Sequence, residues 1–413
     1  MRILYLSQYF PPEIGATQTR AYEMARGLVR AGHEVTVITE VPNHPSGIIP
    51  QEYRSKIYER SEVDGVEVIR VWVKASPVKN FRSRIAFYLS YMFMAIFAGL
   101  FWARKKHDAI YATSPPLFVG AAGLVLSYLR RVPFVFEVRD LWPESAVVLG
   151  ELRNPKVIRW AEWLEWRCYL RARRVVVVTQ GIMKRLLERG LSVDQVRYIP
   201  NGANTELFTP GPIDLDMRRQ LGIPENSFVV VYTGLHGLIH GMEVILDAAA
   251  ELLKDGIDEK RATFLLIGEG VVKPKLVDIA KTNKLTNVIF LEPQPEVTLP
   301  AFVRLANAGV ATTARLPLTE GTLPVKMFSY MACALPVLLA VNGEAKNLIE
   351  EAEAGLCIPP KNGAALAHAI VELMNDPEQC RSLGENGRRY VVNHYSRQSQ
   401  AKQLARILEE VIA

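Results

Sequence analysis

The feature that most restricts this chain is an alternation of short Val/Ile/Leu-rich runs with helical stretches, which proceeds to Pro200, is punctuated, and then begins again. Arg2–Tyr5 opens an apolar run, and a loop through Pro11-Pro12 and Gly15 follows. Thr17–Ala31 has helical spacing (Ala21, Met24, Ala25, Leu28, Val29), and Glu34–Thr39 is Val/Ile-rich. Further strands are expected at Val66–Val73, Ala109–Ala112, Pro133–Glu137, Val175–Thr179 and Val196–Ile199. Alternation of this kind implies a parallel sheet covered by helices on both faces.

Pro200-Asn201-Gly202 and Pro210-Gly211-Pro212 interrupt the pattern, and Phe228–Thr233 starts it afresh with a Gly-rich turn and a helix from Met242. Later strands are expected at Thr263–Ile267, Val288–Leu291, Ala308–Thr312, Pro336–Leu339 and Gly355–Ile358. The fold class is therefore α/β, with two Rossmann-like domains expected over 1–205 and 206–395. The 413 residues and 49% hydrophobic content suffice for two cores. Leu404, Ile407, Leu408 and Val411 form one face of a final helix, 396–413, expected to return to the first domain. A cleft between two such domains is a preferred ligand site.

The net charge of +6 conceals a split: residues 1–200 hold 29 basic and 18 acidic side chains, and the remainder is acidic. The first half should face something anionic. No base-stacking or helix-turn-helix motif accompanies the charge, so no nucleic acid is expected. Ile85–Ala103 lacks charges and is bounded by Arg82, Arg84 and Arg104–Lys106. Its length suits a spanning helix, a buried helix or one lying in a membrane interface. Cys168, Cys333, Cys357 and Cys380 form no CxxC, and Pro11-Pro12 and Glu13 come too soon for a secretory signal, so a cytoplasmic protein is expected.

Several loops at expected strand ends carry groups suited to anions. Gly15 stands where a first strand meets a helix N-terminus, and Gly234–Gly241 repeats the arrangement with His236 and His240. Gly237 stands where a zinc protease motif needs Glu, so a phosphate-cradling loop with a histidine able to hydrogen-bond or to charge partly is favoured over zinc. Thr322, Leu323 and Lys326 precede or open a third helix, where the helix dipole and the ammonium would both stabilise a departing phosphate. Asp214-Leu-Asp216 has the form of a metal-binding DxD but lies in a Pro-rich linker. Glu137, Arg139, Asp140 and Glu144 cluster after a buried strand, as paired ions or as a functional group. No GxGxxG follows the first strand, which counts against a nicotinamide enzyme.

These segments together resemble the retaining glycosyltransferases of family 4, in the branch with colanic-acid and fucosamine transferases. The resemblance rests on QYFPPEIGATQTRAYEMARGLVRAGHEVTVIT (8–39), FEVRDLWPES (136–145), IPNGANTELFTP (199–210), TGLHGLIHGMEVILDAA (233–249), LIGEG (266–270) and PVKMFSYMACALPVLLAVNGEA (324–345). It implies a GT-B fold, a nucleotide-sugar held mainly by the second domain, and neither a catalytic metal nor any other cofactor. By position, Gly15 would approach the donor, Asp140 the transferred sugar or acceptor, and Gly237, His240, Thr322, Leu323 and Lys326 the diphosphate. Glu269 and 292–295 would lie near the base. Leu235 and His240 replace an Arg and a Lys common in relatives, Arg139 replaces a His, and Ser329 replaces the second glutamate of a paired motif whose first falls at or beside Glu320. The implied catalytic set is Asp140, Lys326 and Glu320, and the implied binding set includes Ser329.

The resemblance implies sugar transfer, with retention, from a uridine-linked nucleotide-sugar to a polyprenyl-diphosphate-linked acceptor in surface polysaccharide assembly. The basic first half, with Trp160, Trp163 and Trp166 beside its charges, would then attach peripherally to an anionic cytoplasmic membrane surface. An epimerase of the same architecture and a non-catalytic sugar-nucleotide-binding protein are the alternatives.

Overall fold

The computed structural model describes every residue except Pro45, Lys79, Leu149, Arg315–Glu320 and Ala413. It divides into two compact units, one of Met1–Pro200 with Arg397–Ala413 and the other of Asn201–Ser396. Each is an α/β unit with a Rossmann-like core, and each is described by itself.

Among the described residues the first unit has eight strands: β1 (Arg2–Leu6), β2 (Glu34–Glu40), β3 (Tyr58–Val63), β4 (Val66–Val71), β5 (Ala109–Ser114), β6 (Phe134–Val138), β7 (Arg174–Val177) and β8 (Val196–Tyr198). They lie in the order β3-β4-β2-β1-β5-β6-β7-β8. Residues such as Leu4, Leu6, Ile110 and Phe136 fill one face of the sheet; Tyr5, Val37, Tyr111 and Val135 fill the other. Covering both faces is what makes the strands continuously apolar. The expected all-parallel sheet needs a correction at its edge, where β3 pairs antiparallel with β4. Asp64 and Gly65 both take positive φ, 50° and 79°, the geometry of a two-residue hairpin whose twist suits paired strands. Half-buried Tyr58–Val63 alternates rather than running apolar, which is why it escaped the pattern.

The C-terminal helix, Arg397–Ile412, packs on Ala16–Arg30 within this unit. It buries Leu404, Ile407, Leu408 and Val411, each stabilising by roughly 1.5–3 kcal/mol. A Cβ on Gly27 would stand 2.2 Å from that of Ala401, so the two helices approach backbone to backbone.

The apolar segment is a helix over Phe81–Phe97, started by Asn80, whose side chain accepts the Ser83 N–H at 2.8 Å, and continued by a wider π turn over Ala98–Trp102. One side is buried: the Tyr91 hydroxyl donates to the Ile38 carbonyl at 2.8 Å, and Gly99 lies against Leu126 of the neighbouring helix Leu117–Arg130. Phe93, Phe97 and Phe101, spaced by four on the other side, are exposed. The segment is long and apolar enough to cross a membrane, and only 22% of its most apolar window is buried, less than a core helix would show.

Among the described residues the second unit has six parallel strands: β9 (Phe228–Thr233), β10 (Ala262–Ile267), β11 (Val288–Leu291), β12 (Ala308–Thr312), β13 (Val337–Ala340) and β14 (Gly355–Cys357). Their order is β11-β10-β9-β12-β13-β14. Crossovers reverse direction between β9 and β12, and in open sheets of this kind ligands bind beyond the carboxyl ends of the strands at such a reversal.

Candidate functional site

Beyond the carboxyl end of β9, Gly234 takes φ 121°, and a Cβ there would stand 3.5 Å from Lys326 Cε. Lys326 belongs to the first turn of the helix Val325–Ala332, which has no side-chain cap, so its leading N–H groups and dipole are available to an anion. Its Nζ sits 3.4 Å from the centroid of the Tyr232 ring. Burial pushes the ammonium well below the usual lysine range. Lys326 is therefore not the solvated surface residue that its charge alone would suggest.

The Gly234–Gly241 loop is held by its main chain. The His236 N–H donates to the Glu269 carbonyl at 2.9 Å and the Val272 N–H to the His236 carbonyl at 3.1 Å. The Thr312 hydroxyl donates to the His240 carbonyl at 2.6 Å. Leu238–His240 form a 3-10 turn with Gly237 at its start, so the loop does not run straight into the helix Glu243–Lys254. His236 is buried against Tyr232, and His240 is half-buried. Burial, followed by Lys273 and Lys326 for His236 and by Lys326 for His240, pushes both rings down to about 4. The expectation of a partly charged histidine is thus corrected: in this apolar, cation-flanked setting both rings are neutral at pH 7. Leu235 is exposed on the loop.

Thr322 is half-buried ahead of the Lys326 helix, whereas the Leu323 side chain is packed in the core, which leaves its main chain alone for ligands. Ser329 is buried one turn beyond Lys326. Glu320 lies outside the described residues. Glu269 is exposed after β10, held low in pKa by the Gly270 N–H and Lys273. Lys273, which sequence reasoning missed, bridges Glu269 at 3.2 Å and Glu292 at 2.8 Å and so ties together the two loops expected near a base. Asp214 caps a short helix by accepting the Met217 N–H at 2.9 Å, a structural use of the DxD sequence. Among the described residues no group of three or more His, Cys, Asp or Glu side chains converges as a metal site.

In the first unit, Gly15 is the extended residue before the helix Ala16–Arg30, whose start carries no side-chain cap. The preceding loop is pinned from β2 and β4. Glu13 accepts the Asn43 and His44 N–H groups, both at 2.7 Å, Arg70 donates to the Pro11 carbonyl at 2.8 Å, and Thr39 donates to the Gln8 carbonyl at 2.8 Å. At the end of β6 the charged cluster separates into distinct uses. Glu137 is fully buried and pairs with Arg20 at 2.6 Å, while Glu144 reaches Arg185 at 3.4 Å. Asp140 accepts the Ser145 hydroxyl at 2.8 Å, and burial raises its pKa. Trp160 and Trp163 are exposed, but Trp166 is packed on the core under Arg189, a correction to its expected place on the surface.

Two Rossmann-like α/β units, the second with Lys326 and an uncapped helix start beyond the carboxyl end of β9, have the architecture of GT-B glycosyltransferases. The chain belongs to glycosyltransferase family 4: residues 15–202 match the glycosyl transferase 4-like domain and 214–390 the glycosyl transferases group 1. It is 24% identical to the colanic acid biosynthesis glycosyl transferase WcaI of Escherichia coli K12, over 92% of this chain and 93% of that one. Its fold matches the sucrose-phosphate synthase of Thermosynechococcus elongatus (21% identity, TM-score 0.75, covering 99% and 98%). It also matches Anabaena Alr3699/HepE in complex with UDP-glucose (19% identity, TM-score 0.72, covering 99% and 100%).

Proposed function

We propose that the protein transfers a sugar from a uridine-linked nucleotide-sugar to a lipid-linked glycan during surface polysaccharide assembly, with retention at the anomeric carbon. The observation that carries this reading is the Lys326 ammonium, held over Tyr232 beside Gly234 at the open start of a helix. A donor diphosphate bound there meets the positive end of the helix dipole and a cation short of water, both of which gain strength as the leaving group acquires charge. The C1–O bond to phosphate breaks, the acceptor oxygen bonds C1 from the same face, and a departing phosphate oxygen takes the acceptor's proton. No enzymic nucleophile is needed.

Gly15 and Asp140 belong to the first unit, which in this reading receives the acceptor. The uridine assignment is supported by the UDP-glucose in the HepE complex, and the pathway by the colanic acid role in the name of WcaI. The exposed Phe93, Phe97, Phe101, Trp160 and Trp163, with Arg82, Arg104–Lys106 and Arg130-Arg131, suit peripheral attachment to the anionic cytoplasmic leaflet, where a polyprenyl-diphosphate acceptor resides.

Thermal shift against UDP, GDP, dTDP and their sugars, with EDTA present, tests the donor. UDP compounds are expected to raise Tm, since a ligand at 100 times its Kd adds about 2.7 kcal/mol. A shift with none of them, or only with a divalent ion, overturns the reading.

A further inference from the structure

The carboxyl ends of β1, β5 and β6 gather more cations than carboxylates on one face of the first sheet. Tyr5 pairs in register with Tyr111, and Thr113 with Glu137, so by strand alternation all four side chains share a face. Arg139 is the next residue of that alternation, its N–H still donating to the Ser114 carbonyl at 3.1 Å. Arg20 enters the same region from the helix Ala16–Arg30. The two guanidinium groups fare differently. Arg20 is satisfied: it bonds Glu137 at 2.6 Å and donates to the carbonyls of Ile199 at 3.0 Å and Pro200 at 2.8 Å. Arg139 uses Nε alone, a 3.3 Å bond to the Ser114 carbonyl, and no carboxylate lies within ion-pair distance of it among the described residues. Its Nη2 is buried with no partner, and so are the Tyr5 and Thr113 hydroxyls. The adjacent Asp140 turns to Ser145 instead.

One buried carboxylate therefore serves two guanidinium groups and bonds only one of them. A guanidinium nitrogen buried without an acceptor is costly, and carboxylate and phosphate oxygens match the guanidinium fork. We propose that Arg139 takes an oxyanion of the substrate, a carboxylate on an acidic sugar or a phosphate oxygen, and that this contact selects the substrate. The inference rests on the reading of this unit as the acceptor side of a sugar transferase.

The test uses the full-length protein with its donor site saturated by UDP, so that added anions do not compete there, and titrates glucuronate, inorganic pyrophosphate and glucose calorimetrically. Glucuronate or pyrophosphate is expected to bind and glucose not; which anion binds distinguishes an acidic sugar from a phosphate. Arg139→Gln should weaken that anion roughly ten- to hundredfold, the range of a charged hydrogen bond, with UDP affinity unchanged. Arg139→Lys should recover part of it, and thermal melts show that both variants fold. Equal anion binding by Arg139→Gln and the wild type, or binding of neither anion by the wild type, overturns the proposal. Failure of UDP itself to bind counts against the donor assignment instead, and the anions are then titrated without it.

Discussion

The Lys326 amine lies 3.4 Å from the centroid of the Tyr232 ring and burial works against its charge, so an incoming diphosphate, by placing negative charge beside it, favours the ammonium form. Lys326→Ala is expected to lower kcat by about 10²–10³ while UDP affinity falls less than tenfold, because the contact strengthens as charge develops on the leaving group. Equal losses in steady-state kinetics and UDP titration would reduce Lys326 to a binding residue. The histidines below it make a separate prediction. Both have pKa values near 4 in the folded chain against about 6.5 unfolded, so the unfolded state binds more protons between those values. Their contribution is fully present above pH 6.5 and is lost as pH falls towards 4, with a slope of at most about 1.4 kcal/mol per pH unit for each. Urea melts at pH 7 and pH 5 should differ accordingly, and His236→Phe should reduce the difference. Lys326 was legible in the sequence as a cation at a helix start. Its aromatic platform was not, because Tyr232 is 94 residues away along the chain and reads as an ordinary strand residue.

At the level of elements, the alternation of apolar runs and helices disclosed most strands, since strands buried on both faces write themselves as continuous hydrophobic runs. The edge strand β3 did not, and neither did the ties that hold loops in place. Glu13 to the Asn43 and His44 N–H groups and Arg20 to Glu137 join residues 30 and 117 apart, distances at which spacing carries no information. The glycines after β10 show what such close fitting demands. A Cβ on Gly268 would fall 1.9 Å from the Gly234 carbonyl oxygen, and φ there is 151°, so the loops after β9 and β10 approach main chain to main chain at this point. Gly268→Ala is expected to cost roughly 1–3 kcal/mol in urea unfolding and to weaken UDP binding, because the Gly234 main chain that must yield lies against the Lys326 side chain. Unchanged stability would mean the loops separate without penalty.

For the whole molecule, the charge split and the apolar helix belong to one argument. The helices Phe81–Phe97, Leu117–Arg130 and Pro155–Arg171 lie side by side: Gly99 packs on Leu126, Phe118 approaches Trp160 at 6.2 Å, and Arg171 covers the Tyr128 ring at 4.5 Å. Those contacts bring Phe101, Tyr128, Leu129 and Leu170, all exposed, to one end of the group, where Arg104–Lys106, Arg131 and Arg173 are exposed as well. Apolar side chains ringed by cations suit an interface of acyl chains and anionic headgroups, where each Lys or Arg adds about 1 kcal/mol at low salt. In flotation, the protein is expected to rise with vesicles containing phosphatidylglycerol, to rise less with purely zwitterionic ones, and to be released in part by salt, since a Debye length of about 3 Å at 1 M screens headgroup attraction. Replacing Phe93, Phe97 and Phe101 together by Ser removes the apolar part and leaves every cation in place. That variant should bind anionic vesicles more weakly and become more readily salt-released, with its UDP affinity intact. A wild type that stays with the soluble fraction at low salt would overturn the attachment.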